Sequence, residues 1–299
     1  MTAYVKENGI WKKSNLSSVK VNGEWKKTNK GFVKVDGAWK RFYSSANSIV
    51  DLGTSSVTDF EVTEEIVNYN SDVYNLGEMW RAHTWTSNAT FNIETSVYPW
   101  YVLIAGSGGK GGPDIGNGGG GGGSFIGLIP PEYLSEGEMD ITVGSNIASE
   151  IMINGVNLKA NIGGTGGGGL TGSPGGGGST TGSLPELTAR RGGTGGRSIA
   201  GGGAAGFHSM ISGVDIGYCG GGGAGGRNQE SDWYGPLGPG GPGQDGGGSG
   251  GAGGNGNNQI GYPGGSGARG GGGGGAGIYN NTGGSSSGII IISYRIEEA

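Results

Sequence analysis

Glycine dominates the last two-thirds of this chain and restricts what that part can fold into. Of 77 glycines among 299 residues, 71 lie in the last 199, whereas globular proteins contain about 7% glycine on average. So few side chains cannot bury much apolar surface, which is the usual source of folding free energy. We therefore expect the glycine-rich part to be stabilised mainly by backbone hydrogen bonds.

Three familiar explanations of a glycine-rich sequence fit poorly. Collagen requires glycine at every third position and abundant proline, but the run 118–123 is unbroken glycine and the chain has ten prolines. A flexible linker would not alternate with strand-like segments such as 124–129, 139–143 and 288–294. The motif G-x-G-x-x-G recurs by chance in such tracts, without the strand–loop–helix context of a nucleotide site.

The remaining explanation, which we favour, is an ordered lattice of polyglycine II helices. Glycine can form an extended three-fold helix with a rise of about 3.1 Å per residue, and unlike proline it keeps every N–H donor. Such helices can pack side by side and satisfy their backbone groups by bonding to several neighbours. A central helix must be all glycine because any Cβ would separate its neighbours, whereas a peripheral helix tolerates outward side chains.

Three copies of one unit repeat every 14 residues at the N-terminus. They begin at Val5, Val19 and Val33 and share the pattern V-K-x-[ND]-G-x-W-K-[KR]. Asn-Gly and Asp-Gly favour hairpin turns because these residues tolerate positive φ. We therefore predict three β-hairpins that form a meander over 1–43. We favour a three-residue loop, which would place Val19 opposite Trp25 and create one apolar Val/Trp face.

Trp11, Trp25 and Trp39 of these repeats are candidate attachment residues. Alternating Lys and Trp could also bind single-stranded nucleic acid by stacking and charge, since residues 1–43 carry a net charge of +7 and the remainder −12. The favoured interpretation is a small sheet whose tryptophans supply its core, and we therefore expect no nucleic acid as a partner. Because so small a sheet is marginally stable alone, we expect it to dock on a partner or on copies of itself.

Residues 44–87 have the composition of an ordinary β-protein and are predicted to form a β-rich connecting region. The glycine-rich domain, 88–299, begins with 89–95, where apolar and polar residues alternate as in a half-buried strand. Residues 98–105 are almost continuously apolar, and Pro99 indicates an edge or a strand start. The predicted fold class is all-β plus polyglycine II, with the lattice framed by β-strands.

The N-terminus and the single cysteine bear on where the chain acts. The N-terminus lacks the charged and apolar regions of a signal peptide, and the longest apolar run, 289–292, is too short to span a bilayer. Cys219 alone permits neither an intrachain disulfide nor a cysteine-based metal cluster. We expect synthesis in a cytoplasm and no membrane insertion.

Two patterns resemble those of bacteriophage tail-fibre proteins. The strand Y-V-L-I-A-G-S-G-G from Tyr101, the ladder of glycine tracts and the closing G-I-I-I-I-S-Y-R from Gly288 resemble the glycine-rich tip adhesins of T-even-like phages. The V-K-V-N-G-x-W-K-K repeats resemble those near the ends of phage tail and fibre proteins. The resemblance implies a polyglycine II bundle whose distal loops bind a bacterial surface protein or glycan, in a virion assembled in the host cytoplasm.

The resemblance leaves two functions of different class open. The chain is either a receptor-binding adhesin or a purely structural fibre connector or collar, attached in both cases to other tail or fibre proteins through its N-terminal module. A coat or matrix protein of a cell is disfavoured by the missing export signal, and a homotrimer or a single tip would both fit. We expect no enzyme and no cofactor, since His83 and His208 lie in different segments and the acidic residues are scattered.

Residues that bind a receptor should be large, exposed and rigidly supported, with Trp, Tyr and Arg favoured. Interruptions of the glycine tracts supply such residues, and packing at the lattice ends is the alternative role for each. The candidates are Arg190, Arg191, Phe207, His208, Tyr218, Trp233, Tyr234, Tyr262 and Tyr279. Trp233 and Tyr234 are favoured most because acidic and amide residues surround them.

Overall fold

The computed structural model describes most of the chain, with gaps in the N-terminal repeats and in the glycine-rich part. The described residues are 3–7, 10–14, 18–21, 24–27, 30–35, 38–44, 48–51, 55–96, 98–113, 117–168, 172–197, 201–225, 242–248, 265–276 and 283–296. Before residue 52, only the backbone and the Ile49 side chain are described.

The described residues form twenty strands and very little helix. The strands are β1 (Ala3–Glu7), β2 (Ile10–Ser14), β3 (Ser18–Val21), β4 (Glu24–Lys27), β5 (Lys30–Val35), β6 (Ala38–Ser44), β7 (Ser48–Asp51), β8 (Ser56–Glu61), β9 (Met79–Trp85), β10 (Ala89–Thr95), β11 (Trp100–Ala105), β12 (Ser124–Ile129), β13 (Gly137–Thr142), β14 (Ser149–Ile153), β15 (Val156–Ala160), β16 (Thr180–Thr181), β17 (Leu187–Arg190), β18 (Phe207–Ser209), β19 (Ile216–Tyr218) and β20 (Ile289–Ile296). A helix, α1, covers Glu64–Tyr69, and one 3-10 turn covers Pro131–Tyr133. The strand pairs are antiparallel, so the predicted all-β class is confirmed.

The strands of the N-terminal repeats pair in a register that differs from the predicted one. β1 pairs with β2, β3 with β4 and β5 with β6, and Lys20, not Val19, lies opposite Trp25. The predicted three-residue loop is therefore wrong, since two residues separate β3 from β4. A two-residue connection suits the right-handed twist of paired strands. It also places valine and tryptophan on opposite faces.

The predicted meander is not found either among the described N-terminal strands. Their three pairs are separate two-stranded sheets, with no ladder between them. The register differs from the predicted one in the same region, because valine and tryptophan lie on opposite faces of the β3–β4 pair and not on one shared apolar face.

Two six-stranded sheets pack face to face as a sandwich. Sheet one has the strand order β16-β15-β14-β13-β10-β7, and sheet two has the order β17-β12-β11-β20-β9-β8. Alternate residues of both sheets fill the space between them, including the fully buried Trp85, Trp100 and Phe91. Pro99 directly precedes β11, as its sequence position predicts.

Sheet two is covered on both faces, which explains its apolar central strands. Its second face packs against α1 and the following loop and against the β18–β19 pair, through a second cluster that includes Tyr74, Leu103 and Ile211. All six residues of β11 are buried, as are the first six of β20. A strand buried on two faces needs apolar residues at consecutive positions.

The predicted connecting region is part of the sandwich. β8 and β9 belong to sheet two, where β9 pairs with β20 near the C-terminus, and β7 belongs to sheet one beside β10. The proposed boundary between residues 87 and 88 therefore falls within a single packing unit.

One glycine segment, 117–123, is bonded on all sides and is called the inner segment here. Its N–H groups donate in rotation to three neighbours, and residues three apart donate to the same neighbour. The donor–acceptor pairs are Gly118–Gly196 and Gly121–Gly193, then Gly119–Gly273 and Gly122–Gly270, then Gly120–Gly164 and Gly123–Asn161. Its carbonyls accept from three further segments, through Gly175 and Gly178, Gly222, and Gly106 and Gly109.

Six segments thus surround the inner segment, and each bonds to the next around the ring. They are 106–112, 161–168, 172–179, 191–197, 219–225 and 270–276. Segments 219–225 and 270–276 are themselves bonded to glycine-rich neighbours on several sides, including 201–206, 242–248, 265–268 and 283–288. These segments together are called the glycine lattice below.

The inner segment has no room for side chains at its glycines. A Cβ added to any glycine of 118–123 would lie 1.8–2.2 Å from a carbonyl oxygen of a neighbouring segment. By contrast, a Cβ added to Gly176, in the outer segment 172–179, would meet nothing within 4 Å. Glycine is therefore required by close backbone approach inside the lattice but not everywhere on its surface.

The lattice has two ends. At the sheet end, most of its segments continue directly into strands, as Gly106 follows β11 and Gly123 precedes β12, whereas 242–248 and 265–276 turn back there. Toward the remote end, the last described residues are Pro113, Asn117, Gly168, Gly172, Arg197, Gly201, Gly225, Pro242, Gly248, Gly265, Ala276 and Gly283.

Candidate recognition surface

The β18–β19 pair leaves the lattice at its sheet end and carries three of the predicted recognition residues, Phe207, His208 and Tyr218. Phe207 pairs with Tyr218 and His208 with Gly217. Because side chains alternate along a strand, Phe207 and Tyr218 share one face while His208 lies on the other. The pair thus has a buried side and an exposed side.

Phe207 and Tyr218 lie on the buried side, which argues against their predicted role in receptor contact. Tyr218 is 0% exposed and Phe207 is 9% exposed, and their rings stack with centroids 5.7 Å apart. Burial raises the pKa of the Tyr218 hydroxyl to about 12. These two aromatics attach the pair to sheet two, which is the packing role that the sequence left as the alternative.

His208 lies on the exposed side between two carboxylates. Its Nδ1 is 3.0 Å from Asp215 Oδ1, and its Nε2 is 2.8 Å from Asp245 Oδ1. Hydrogen bonds with Asp215 and then Asp245 raise the pKa of His208 above its ordinary value. The imidazolium is therefore favoured over a wider pH range than in a free histidine.

Asp245 reaches His208 because glycine occupies position 217. A Cβ there would lie 2.8 Å from the Asp245 Cα, so any larger residue would push the two backbones apart. The other carboxylate oxygen of Asp245 accepts a hydrogen bond of 2.8 Å from the Gly206 N–H. Its side chain is 12% exposed, and the carboxylate thus joins the lattice to the β18–β19 pair.

Arg190 and Tyr69 complete this surface, which we call the His208 surface. The Arg190 guanidinium lies 5.3 Å from the centroid of the Phe207 ring, in a cation–π arrangement. The Tyr69 hydroxyl, from α1, donates a hydrogen bond to the His208 carbonyl. Partial burial is the main cause that raises the pKa of Tyr69. The surface consists of Tyr69, Arg190, His208, Asp215 and Asp245.

The structure brings together only some of the predicted recognition residues. Arg190 and His208 share the His208 surface, and Arg191 is exposed where β17 enters the lattice. Tyr69, Asp215 and Asp245 are functional candidates that sequence reasoning misses. Among these three, Asp245 alone has a local sequence indication, the pair Asp-Gly at 245–246, whose φ angles of 38° and 90° form a turn.

The remaining candidates lie outside the described residues. These are Trp233, Tyr234, Tyr262 and Tyr279, and likewise the side chains of Trp11, Trp25 and Trp39. In the sequence, Trp233 and Tyr234 fall between Gly225 and Pro242, both of which lie toward the remote end of the lattice.

Cys219 occupies a buried position at the sheet end of the lattice. It is 0% exposed, and burial raises the pKa of its thiol to about 12. Its φ of 59° lies in the left-handed region. A protonated, inaccessible thiol is a poor nucleophile.

Within the described ranges, no group of three or more His, Cys, Asp or Glu side chains is arranged to hold a metal ion. No helix in this part of the chain is long and apolar enough to cross a membrane. The sequence matches no model of a known protein family and no curated protein.

Proposed function

We propose that the chain is a bacteriophage tail-fibre or fibre-tip adhesin that binds a bacterial surface protein or glycan through loops on a polyglycine II scaffold. The observation that carries the proposal is the three-residue rotation of hydrogen bonds around the inner segment. A helix with three residues per turn directs successive N–H groups to three different neighbours. That pattern supports polyglycine II rather than β-strand or disordered linker for these segments.

A lattice of this kind suits recognition because backbone hydrogen bonds hold it together and few side chains are needed for packing. Its backbone groups bond to neighbouring segments at 2.7–3.0 Å around the inner segment, so its ends can hold loops in fixed positions. Rigid support lowers the entropy that a loop loses on binding. The connections at the remote end, including the one that carries Trp233 and Tyr234, are the first proposed contact region, and the His208 surface is the second.

The N-terminal repeats are proposed to attach the chain to other tail or fibre proteins. The separate pairing of their strands supports this role, because isolated two-stranded units gain stability by docking. The arrangement fits a homotrimer and a single tip equally.

A purely structural virion part remains the second candidate, and one observation favours it. Phe207 and Tyr218, two of the predicted contact aromatics, are buried against sheet two. Aromatics at the lattice ends can thus serve packing alone. In that case the lattice would be a spacer, without receptor binding.

The test uses fluorescently labelled full-length chain and bacterial strains that are sensitive or resistant to a phage carrying it. Binding confined to sensitive cells, with protection of those cells in a plaque assay, would support the adhesin. A folded chain that binds neither strain at micromolar concentration would favour the structural part. Arg190→Ala with Arg191→Ala then tests the sheet end. Arg81→Ala, which removes a half-buried arginine paired with Asp59 on sheet two, is the control for loss of positive charge elsewhere.

A further inference from the structure

The two contacts of the His208 ring require both of its nitrogens to carry a proton. An ionised carboxylate only accepts hydrogen bonds, and a neutral imidazole has only one N–H. With Asp215 3.0 Å from Nδ1 and Asp245 2.8 Å from Nε2, the imidazolium satisfies both contacts. The neutral ring leaves one nitrogen lone pair facing a carboxylate.

The two carboxylates belong to different parts of the molecule. Asp215 follows β18 in the connection to β19, so its contact with His208 stays within one local unit. Asp245 forms the turn between lattice segments 242–244 and 246–248, which bond to each other through the Gly247 N–H and the Gln244 carbonyl. The Nε2 contact is therefore the one that joins this turn to the β18–β19 pair.

We propose that protonated His208 is a pH-dependent tether that holds the Asp245 turn of the lattice against the β18–β19 pair. This inference is independent of the proposed function. Two further contacts keep the turn in place without the tether. The Gly206 N–H donates to Asp245 Oδ2, and the Gly220 N–H donates to the Asp245 carbonyl at 3.1 Å. The neutral ring has one N–H for two carboxylates, so it makes the Asp245 contact only part of the time and without the charge of the imidazolium. Loss of the proton should therefore loosen the turn and leave the fold intact.

Other charged and titratable groups near the ring do not replace the two carboxylates. Tyr69 from α1 contacts the His208 carbonyl, and Arg190 from β17 lies over the Phe207 ring. Arg269, from the lattice, donates its Nε to the Gly217 carbonyl at 3.1 Å.

Asp215 and Asp245 raise the pKa of His208. A raised native pKa means that the tether is complete below the ordinary histidine pKa of about 6.5 and is lost as pH rises through the raised value.

The full-length chain permits a direct test because it contains two histidines, His83 and His208. With 15N-histidine labelling, the ring nitrogens report the protonation state of each, and His208→Ala assigns the signals. We expect His208 to titrate with a midpoint above 6.5. We also expect amide exchange in 242–248, corrected for the intrinsic effect of pH, to rise several-fold as pH passes that midpoint.

Two carboxamide variants, each of which removes one negative charge beside His208, show whether exchange in 242–248 depends on the Asp245 contact in particular. Asp245→Asn should lower the His208 midpoint and remove the pH dependence of exchange in 242–248, because a carboxamide can contact either the protonated or the neutral ring. Asp215→Asn, the matched control, should also lower the midpoint but should leave exchange in 242–248 slow below it. A His208 midpoint at or below 6.5 would overturn the proposal. The same pH dependence of exchange in His208→Ala as in the natural chain would also overturn it.

Discussion

Substitution of alanine at Gly120 and at Gly176 should have opposite effects on stability, although the two glycines lie side by side in adjacent segments of the lattice. A Cβ on Gly120 would lie 2.1 Å from the Gly176 carbonyl oxygen, whereas a Cβ on Gly176 would meet nothing within 4 Å. Neither glycine has a positive φ, so alanine strains the backbone at neither position, and the two changes in stability can be compared directly. The pair therefore isolates close packing in the lattice from the general effect of replacing glycine.

The magnitude follows from the hydrogen bonds that the new methyl group would disturb. Ordinary contact begins at 3.4 Å, so the Gly120 Cβ and the Gly176 oxygen must separate by about 1.3 Å. That oxygen accepts from the Gly164 N–H, and Gly120 itself bonds to Gly164 and Gly109, all at 2.7–2.9 Å. Three backbone hydrogen bonds at about 1 kcal/mol each amount to roughly 3 kcal/mol. Alanine also reduces the conformational entropy of the unfolded chain, which stabilises the folded state by about 0.4–1 kcal/mol.

We therefore expect Gly120→Ala to lower the free energy of unfolding by about 2–3 kcal/mol, and Gly176→Ala to raise it by about 0.4–1 kcal/mol. Denaturant unfolding followed by tryptophan fluorescence reports the sandwich, where Trp85 and Trp100 are buried. Amide exchange of 117–123 and 161–168 reports the lattice. Equal stability of the two variants by both measurements would refute the packing argument.

Three further predictions concern a buried thiol, a buried hydroxyl and two predicted contact aromatics. Cys219 should react with a thiol reagent only after unfolding, because its thiol is buried and its pKa is raised to about 12; labelling of the native chain within minutes would contradict this. Ser107→Ala should lower the free energy of unfolding by about 1 kcal/mol, since its hydroxyl donates to the Ile147 carbonyl at 2.6 Å; an unchanged denaturation midpoint would contradict it. Trp233→Ala with Tyr234→Ala should abolish binding to host cells at unchanged thermal stability, and a fall in stability with binding intact would assign both residues to packing.

The sequence predicts local structure where one short pattern decides it. The alternation of 89–95 gives β10 with the same bounds, and the apolar run after Pro99 gives β11. The segments at 124–129, 139–143 and 288–294 lie in or overlap β12, β13 and β20. In each case the pattern of apolar and polar side chains over a few consecutive residues is enough to predict a β-strand.

The sequence does not predict which strands become neighbours. β9 pairs with β20, so that Ile290 lies opposite Trp85 across more than 200 positions of sequence, and no local pattern specifies such a partner. The same limit explains the His208 surface, because Tyr69, Arg190 and Asp245 come from three distant segments. The burial of Tyr218 depends likewise on sheet two, which sequence reasoning does not place beside it.

The sandwich specifies the register of the lattice. In sheet two, Ala105 lies opposite Ser124, and beyond the strands the same pairing continues every third residue as Gly106–Gly123, Gly109–Gly120 and Gly112–Asn117. The pairing of β15 with β16 continues in the same way, through Asn161–Ser179, Gly164–Gly176 and Gly167–Ser173.

Glycine tracts alone could slide past one another, since every position offers the same N–H and carbonyl and register is weakly specified in glycine-rich segments. The buried side chains of the sheets remove that freedom, because a one-residue slip would move each of them to the wrong face. The hydrophobic core thus lies apart from most of the glycine but determines the alignment of the segments that continue from its strands. Segments whose register would be ambiguous in isolation are therefore aligned by the strands from which they continue.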